Sequence, residues 1–355
     1  MARAPDWLRP ADKRERRKHA CRPIEGRWLN VFGLRIHARV GGEGAAVVLV
    51  HGYGVSGTYM LPLAQSLAPS FSVFAPDLPG YGRSQKPRTA LGIADLAAAL
   101  AGWLDAAGLQ RPAFVANSMG CQIVTELALH LPGRVGPMVL VGPTVDPERR
   151  AARHQLLGGL RDAAREPRSL LGLAARDDAV VGLGALLATA RSALADRIEH
   201  RLPLIAQPTV VVRGENDGFV GATWAERATA LLPRGRLVVV PSEPHAVHYT
   251  RPDLVARIVH ELLVEENQQA GSQLPRRLPH RHVPAVEADE LGARQDSLPL
   301  RGDSRGEKPV VLAPYEQGPG LNRRELGTQV PVGYEQGSAE KAERPSARGV
   351  AHDCG

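Results

Sequence analysis

The sequence predicts an α/β fold built on a mostly parallel sheet, and three observations carry that expectation. Residues 45–50 and 113–116 are apolar at every position, as strands covered on both faces are. Between such runs, apolar residues recur at helical spacing, as in Leu96, Leu100, Trp103, Leu104 and Ala107. Strand and helix then alternate four times before residue 143, the rhythm of parallel strands joined by crossover helices.

Residues 1–24 contain the run Lys13-Arg14-Glu15-Arg16-Arg17-Lys18 and no apolar stretch of a secretory leader, and are expected to form a basic, unstructured tail. Strands are expected at 27–31 and 34–40, joined at Phe32-Gly33 as a hairpin. The strand at 45–50 ends in His51-Gly52-Tyr53-Gly54 and leads to a helical run over 58–67. The next strand, 71–75, stops in a loop of turn formers, Pro76-Asp77-Leu78-Pro79-Gly80-Tyr81-Gly82-Arg83-Ser84. A helix from Ile93 is closed by Gly108, and the strand at 113–116 enters Asn117-Ser118-Met119-Gly120 with a helix beginning at once behind it. A strand is expected over 135–141, because proline is tolerated near a strand start and Pro137 stands there.

Residues 143–202 break the rhythm. They are rich in Ala, Leu and Arg with no β-branched run, and read as a helical cap over the carboxyl edge of the sheet, where open α/β sheets bind ligands. The alternation resumes with a strand at 209–213, a helix at 224–232, a strand at 237–240 and a helix at 253–264, in which Leu254, Val255, Ile258, Val259 and Leu262 make one apolar face. From 266 to 355 Pro, Gly, Gln, Glu and Arg dominate without period, and this stretch is expected to be disordered. The expected organisation is therefore a core of 25–142 and 203–265, a cap of 143–202, and tails of 1–24 and 266–355.

The 355 residues are 43% hydrophobic and 23% charged, the balance of a soluble globular protein, while 4% aromatic content leaves the core to Ala, Leu and Val. Cys21, Cys121 and Cys354 are too few and too scattered for a disulfide framework or a metal site, and fit a reducing, cytoplasmic location. Much of the net charge of +7 sits in the 13–18 run, so no nucleic-acid partner is expected, and no apolar run reaches the length of a membrane span.

The chemistry centres on Ser118. A strand, a tight turn carrying one serine and a helix make a nucleophile elbow, in which the hydroxyl is pushed clear of the backbone and the N–H of Met119 points from the helix N-terminus toward any anion formed beside it. Strand and helix come so close there that neighbours must be small, and Ala116 and Gly120 are. Alone, such a serine also reads as an ordinary helix N-cap. A serine hydroxyl needs a base, and the base needs a carboxylate to fix its tautomer. The strand at 209–213 ends in Gly214-Glu215-Asn216-Asp217 and the strand at 237–240 in Pro241-Ser242-Glu243-Pro244-His245, both leaving the sheet edge that Ser118 leaves. Taken singly, Asp217 is a turn former and His245 a loop histidine; together, in the order Ser118, Asp217, His245, they point to acyl transfer. His248 is the rival base, and Glu215 and Asp146 are the rival acids.

On these residues the chain resembles the α/β-hydrolase superfamily, whose elbow is G-x-S-x-G, with Ala116 here in place of the first glycine. In that family the acid follows a strand as G-x-x-D and the histidine lies seven residues before a proline opening the last helix; Gly214 to Asp217, and His245 with Pro252, fit both patterns. The resemblance covers about residues 26–265. It implies a second oxyanion-hole donor, the N–H of Tyr53, beside that of Met119, a bracing role for His51, and a structural role for the loop Asp77 to Ser84, which matches D-x-x-G-x-G-x-S. Cys121 is expected to be packed and unreactive. A serine nucleophile separates the chain from the dehalogenase and epoxide hydrolase branches, which use aspartate. Asn117-Ser118-Met119-Gly120 and the H-G-x-G start are similar to meta-cleavage-product hydrolases, although Val55-Ser56-Gly57 lacks their Pro-Gly and Ala246 stands where they carry tryptophan.

The expected function is a serine hydrolase using Ser118, His245 and Asp217 through an acyl-enzyme, acting on carboxylic esters of a small, largely apolar substrate. A carbon–carbon hydrolase ranks second, and a ligand-binding protein that hardly turns over is the alternative from another class. The mechanism calls for no metal or organic cofactor, the expected partner is a small-molecule substrate, and the sequence leaves the oligomeric state open.

Overall fold

The structure is a computed structural model and describes residues 23–273 apart from 164, 168, 171, 173–175 and 178–180. Eight strands form one sheet: β1 Glu25–Val31, β2 Leu34–Gly41, β3 Ala45–Val50, β4 Phe71–Pro76, β5 Ala113–Asn117, β6 Met138–Val141, β7 Thr209–Gly214 and β8 Gly235–Val240. Their order is β1-β2-β4-β3-β5-β6-β7-β8. The hairpin of β1 and β2 joins β4 antiparallel, and from β4 to β8 every pairing is parallel.

The runs that are apolar throughout explain this architecture, because alternate residues of each central strand feed two different cores. Val48 and Val50 of β3, Phe114 and Ala116 of β5, and Met138 and Leu140 of β6 enter one. Val47 and Leu49, Ala113 and Val115, and Val139 and Val141 enter the other. The first core is closed by α2 (Ile93–Ala106) and α3 (Met119–His130) through Leu96, Leu100, Trp103, Ile123 and Leu127, with Trp224 from α7 (Ala222–Leu231). The second is closed by α1 (Leu61–Leu67) and α9 (Pro252–Gln273) through Leu63, Leu67, Leu254, Val255, Ile258, Val259 and Leu262. Each such side chain contributes roughly 1.5–3 kcal/mol by leaving water. The stretch between β6 and β7 holds α4 (Ala152–Ala163), α5 (Leu183–Ala195) and α6 (Ile198–Arg201), and α8 (Val247–Thr250) precedes α9.

Three of the boundaries that differ from the sequence expectation have a clear physical reason. The strand expected over 135–141 begins only at Met138, because Pro137 has no N–H to give the ladder and the N–H of Gly136 is turned to the carbonyl of Pro112. The helix expected over 58–67 opens as a 3-10 turn, Gly57–Met60, before α1 begins at Leu61 with Pro62 in its first turn. The last helix runs on to Gln273, past the boundary drawn at 265, because Glu-Glu-Asn-Gln-Gln-Ala continues a helix that its apolar face has already nucleated. The rest of the stretch 266–355, and residues 1–22, lie outside the described residues. Among the described residues no helix is long and apolar enough to cross a membrane.

The start of α3 is pressed against the end of β3. A Cβ added at Gly120 would lie 2.6 Å from the carbonyl oxygen of Val50 and 2.8 Å from that of His51, both backbone atoms that cannot move aside cheaply. Gly120→Val is therefore expected to lower unfolding stability by about 1–3 kcal/mol in urea titrations. Gly133→Ala, which meets nothing within 4 Å, is expected to stay within about 0.5 kcal/mol of the parent.

Candidate active site

Ser118 occupies the single step between β5 and α3, at φ 54° and ψ −120°. That left-handed backbone costs a non-glycine residue about 1–3 kcal/mol and persists only where the surroundings impose it. They do so here: the Ser118 N–H donates to the carbonyl of Val141 at 3.0 Å, and its own carbonyl accepts from the N–H of Cys121 at 2.9 Å. The Cys121 side chain is buried against the same elbow, its thiol donating to the carbonyl of Ala116 at 3.3 Å, and burial pushes its pKa up. The Ser118 hydroxyl lies 3.5 Å from that of Thr144.

Asp217 follows β7 and is held by both oxygens. Oδ1 accepts the N–H groups of Phe219 and Val220, each at 2.8 Å, while Oδ2 lies 2.8 Å from Nδ1 of His245. A carboxylate there favours a proton on Nδ1. Nε2 is buried and has no hydrogen-bond partner among the described residues, so no bond joins His245 to Ser118 directly. The ring packs instead against the exit of β6. Gly142 follows β6 next to Ser118, and at its φ of +55° a Cβ would meet His245 Cε1 at 2.6 Å. Only glycine leaves room there for the imidazole. Burial works against a charged ring, but the charge and hydrogen bond of Asp217, with further charge from Asp162 and Glu166, outweigh it and hold His245 at a pKa of about 9.

The rival residues are engaged elsewhere. His248 is fully buried edge-on to Tyr59, with ring centroids 4.4 Å apart, and burial drives its pKa down to about 3. Glu215 accepts the N–H of Ser242 at 2.8 Å, and Asp146 caps a short 3-10 turn by accepting the N–H of Glu148 at 3.0 Å.

The loop after β3 leans on the serine, so closely that a Cβ at Gly52 would lie 3.1 Å from Ser118 Cβ. His51 braces it with both ring nitrogens: Nδ1 donates to the carbonyl of Gly52 at 2.8 Å and Nε2 accepts the N–H of Leu78 at 3.0 Å. Tyr53, the next residue, reaches the opposite helix, its hydroxyl donating to the carbonyl of Leu186 at 3.1 Å. Behind this loop the buried Asp77 accepts from Arg39 at 2.7 Å, from the Gly57 N–H at 2.7 Å and from the Arg83 N–H at 3.0 Å, and pairs with His37 Nδ1 at 2.9 Å. Burial alone would raise its pKa; the bond from His37 and the charge of Arg39 prevail and hold it at about 2. The stability this group contributes is complete above the ordinary 3.8 and is lost as pH falls through about 2.

Sequence reasoning missed two carboxylates. Asp162, in the last turn of α4, accepts the N–H of His245 at 3.1 Å, and Glu166 accepts that of Ala246 at 2.9 Å. Within the cap, the apolar segments 170–174 and 180–187 lie partly outside the described residues; of the rest, Leu170 and Val181 are buried, but Leu183 is 73% and Leu187 56% exposed.

Comparison with known proteins bears on the fold and the family. A family profile describing the alpha/beta hydrolase fold matches residues 45–171. A pimeloyl-[acyl-carrier protein] methyl ester esterase of Aliivibrio salmonicida is 27% identical over 64% of this chain and 95% of its own length. A 2-hydroxy-6-oxononadienedioate/2-hydroxy-6-oxononatrienedioate hydrolase of Pseudomonas putida is 29% identical over 65% of this chain and 92% of its own. The solved structure of Est816, an N-acyl homoserine lactone degrading enzyme, superposes with a TM-score of 0.57 at 25% identity, covering 66% of this chain and 99% of that one. The chain spans 38% of the length of the curated relatives it matches first, uncharacterized Mycobacterium proteins 32% identical over 131 residues. The profile and these relatives support an α/β-hydrolase superfamily member, and the sheet described above is that fold.

If Asp217 holds the imidazole charge as the geometry indicates, Asp217→Asn removes it while keeping the shape. The His245 ring is then expected to titrate well below about 9, in a histidine-resolved NMR titration, with the fold unchanged.

Proposed function

We propose that the protein is a serine hydrolase in which Ser118 is the nucleophile, His245 the general base and Asp217 the group that orients and charges the base. One observation carries the reading. The imidazole is locked to a carboxylate through Nδ1 at 2.8 Å with its other nitrogen left unbonded, while a serine held at positive φ stands at the exit of β5 on the same edge of the sheet. Free enzymes often hold the serine–histidine bond open until substrate docks.

In the proposed reaction, Ser118 Oγ attacks a carbonyl carbon as its proton passes to His245 Nε2. The carbonyl oxygen becomes an oxyanion, for which the N–H groups of Met119 and Tyr53 are the proposed donors, each well-placed donor contributing about 3–4 kcal/mol. The tetrahedral intermediate collapses, His245 returns the proton to the leaving alcohol, and the acyl group stays on Ser118. Water, activated by the same nitrogen, then releases the acid and restores the serine. Every proton moves through Nε2, so no external oxidant, reductant or cofactor enters the balance.

Carboxylic esters of small, largely apolar alcohols or acids are the proposed substrates, supported by the esterase relative. Carbon–carbon cleavage of ring-fission diketones is the second reading, favoured by Asn117-Ser118-Met119-Gly120 and by the Pseudomonas putida relative. The two separate in a direct comparison: the ester reading predicts turnover of short aryl esters at least about tenfold faster, in kcat/KM, than of a ring-fission diketone, and the reverse ratio reverses the ranking. Ser118→Ala is expected to lower ester kcat by about 10⁴ or more with an unchanged unfolding curve; a variant keeping over a tenth of the activity removes Ser118 from the mechanism.

A further inference from the structure

We infer that Asp162 and Glu166 are positioning residues, through which the helical segment between β6 and β7 holds the acid loop and the histidine loop in register. The inference rests on the catalytic reading of Ser118, Asp217 and His245.

The geometry is specific. Asp162 Oδ1 accepts from His245 N at 3.1 Å and lies 3.4 Å from Gly218 N, so one carboxylate oxygen spans the residue after the proposed acid and the proposed base itself. Glu166 Oε1 takes the next N–H along, that of Ala246, at 2.9 Å. These two loops leave different strands; β7 and β8 pair as far as Gly214 and Val240, and the loops stay bonded a little further, the N–H of Glu215 donating to the Val240 carbonyl and that of Asn216 to the Glu243 carbonyl, each at 2.9 Å. Past those bonds the N–H groups of Gly218, His245 and Ala246 are taken by side chains of the inserted segment, which supply the partners such groups require. The helix is seated for the task. A Cβ at Gly158 would lie 2.8 Å from the carbonyl oxygen of Gly218, and one at Gly218 would lie 2.5 Å from that of Gly158. Helix α4 thus meets the acid loop backbone to backbone, one turn before Asp162.

The arrangement also acts through charge. Burial raises the pKa of Asp162, and burial together with the charge of Asp162 raises that of Glu166 to about 7. The groups facing this pair are Asp217 from the loop after β7, His245 from the segment after β8, and Tyr59 from the turn after β3. Both carboxylates favour the protonated form of His245. A base must be neutral to accept a proton, so kcat/KM rises with pH through the His245 pKa, and removing negative charge from either carboxylate moves that rise to lower pH. A purely structural contact would leave it in place.

The test uses full-length protein and a short aryl ester, with kcat/KM followed from pH 5 to 10 for the parent, Asp162→Asn, Glu166→Gln and Asp162→Ala. The two amide variants keep an acceptor oxygen and lose the charge; their acidic limbs are expected to shift down by about half a pH unit or more, a threefold change in the neutral fraction. Asp162→Ala loses the acceptor as well and is expected to lose about tenfold to a hundredfold in kcat with KM changed less than threefold, as misplacement of a reacting group does. Asp162→Asn is expected to recover part of that loss. Limbs within about 0.2 unit of the parent in both amide variants overturn the inference, and they decide it even if Asp162→Ala fails to fold. Parent activity that survives Ser118→Ala overturns the catalytic reading instead, so the two failures are distinguishable.

Discussion

A buried imidazole keeps its charge only beside a carboxylate, and the 2.8 Å contact between His245 Nδ1 and Asp217 Oδ2 is the constraint around which the carboxyl edge of the sheet is arranged. It requires two loops from adjacent strands to end at matching heights, which parallel pairing of β7 with β8 supplies up to Gly214 and Val240. It requires Asp217 to have its second oxygen satisfied, which the N–H groups of Phe219 and Val220 provide. It requires an empty position beside the ring, which Gly142 provides. Each of these is a property of the backbone at a strand exit, so the sheet itself carries the precision that an acid–base pair needs.

Much of this was legible in the sequence because it follows from local rules. Strands covered on both faces are apolar at every position, and β3, β5 and β6 are. The elbow announces itself through the small residues Ala116 and Gly120 around one serine. The order Ser118, Asp217, His245 places three polar residues at ends of strands that the alternation had already made parallel. In Pro-His-Ala-Val-His, however, two histidines stand three apart, and their roles depend on which ring meets Asp217 and which is buried against Tyr59. That is settled by tertiary packing alone.

The carboxylates of Asp162 and Glu166 were not legible at all. Four apart, one in the last turn of an Ala-, Leu- and Arg-rich helix and the other just past it, they look like solvated charges, and nothing in their neighbourhood marks the pair as inward-facing. Their partners are backbone N–H groups of residues 218, 245 and 246, which lie far along the chain and carry no side-chain signature. The other misreadings have simpler causes. Proline is compatible with a strand start, but the N–H that Pro137 lacks trims β6 to Met138, and the polar run after Glu265 hides the continuation of a helix that an apolar face has already begun.

The central claim is that one serine, activated by the buried imidazole and carboxylate, carries covalent chemistry. It is tested most directly by treating the full-length protein with a fluorophosphonate and mapping the adduct by peptide mass spectrometry across a pH series. The account predicts a single adduct on Ser118, formed faster as pH rises toward about 9 and slowed at least about a hundredfold in His245→Ala. Absence of labelling, or an adduct on any other residue, would contradict it.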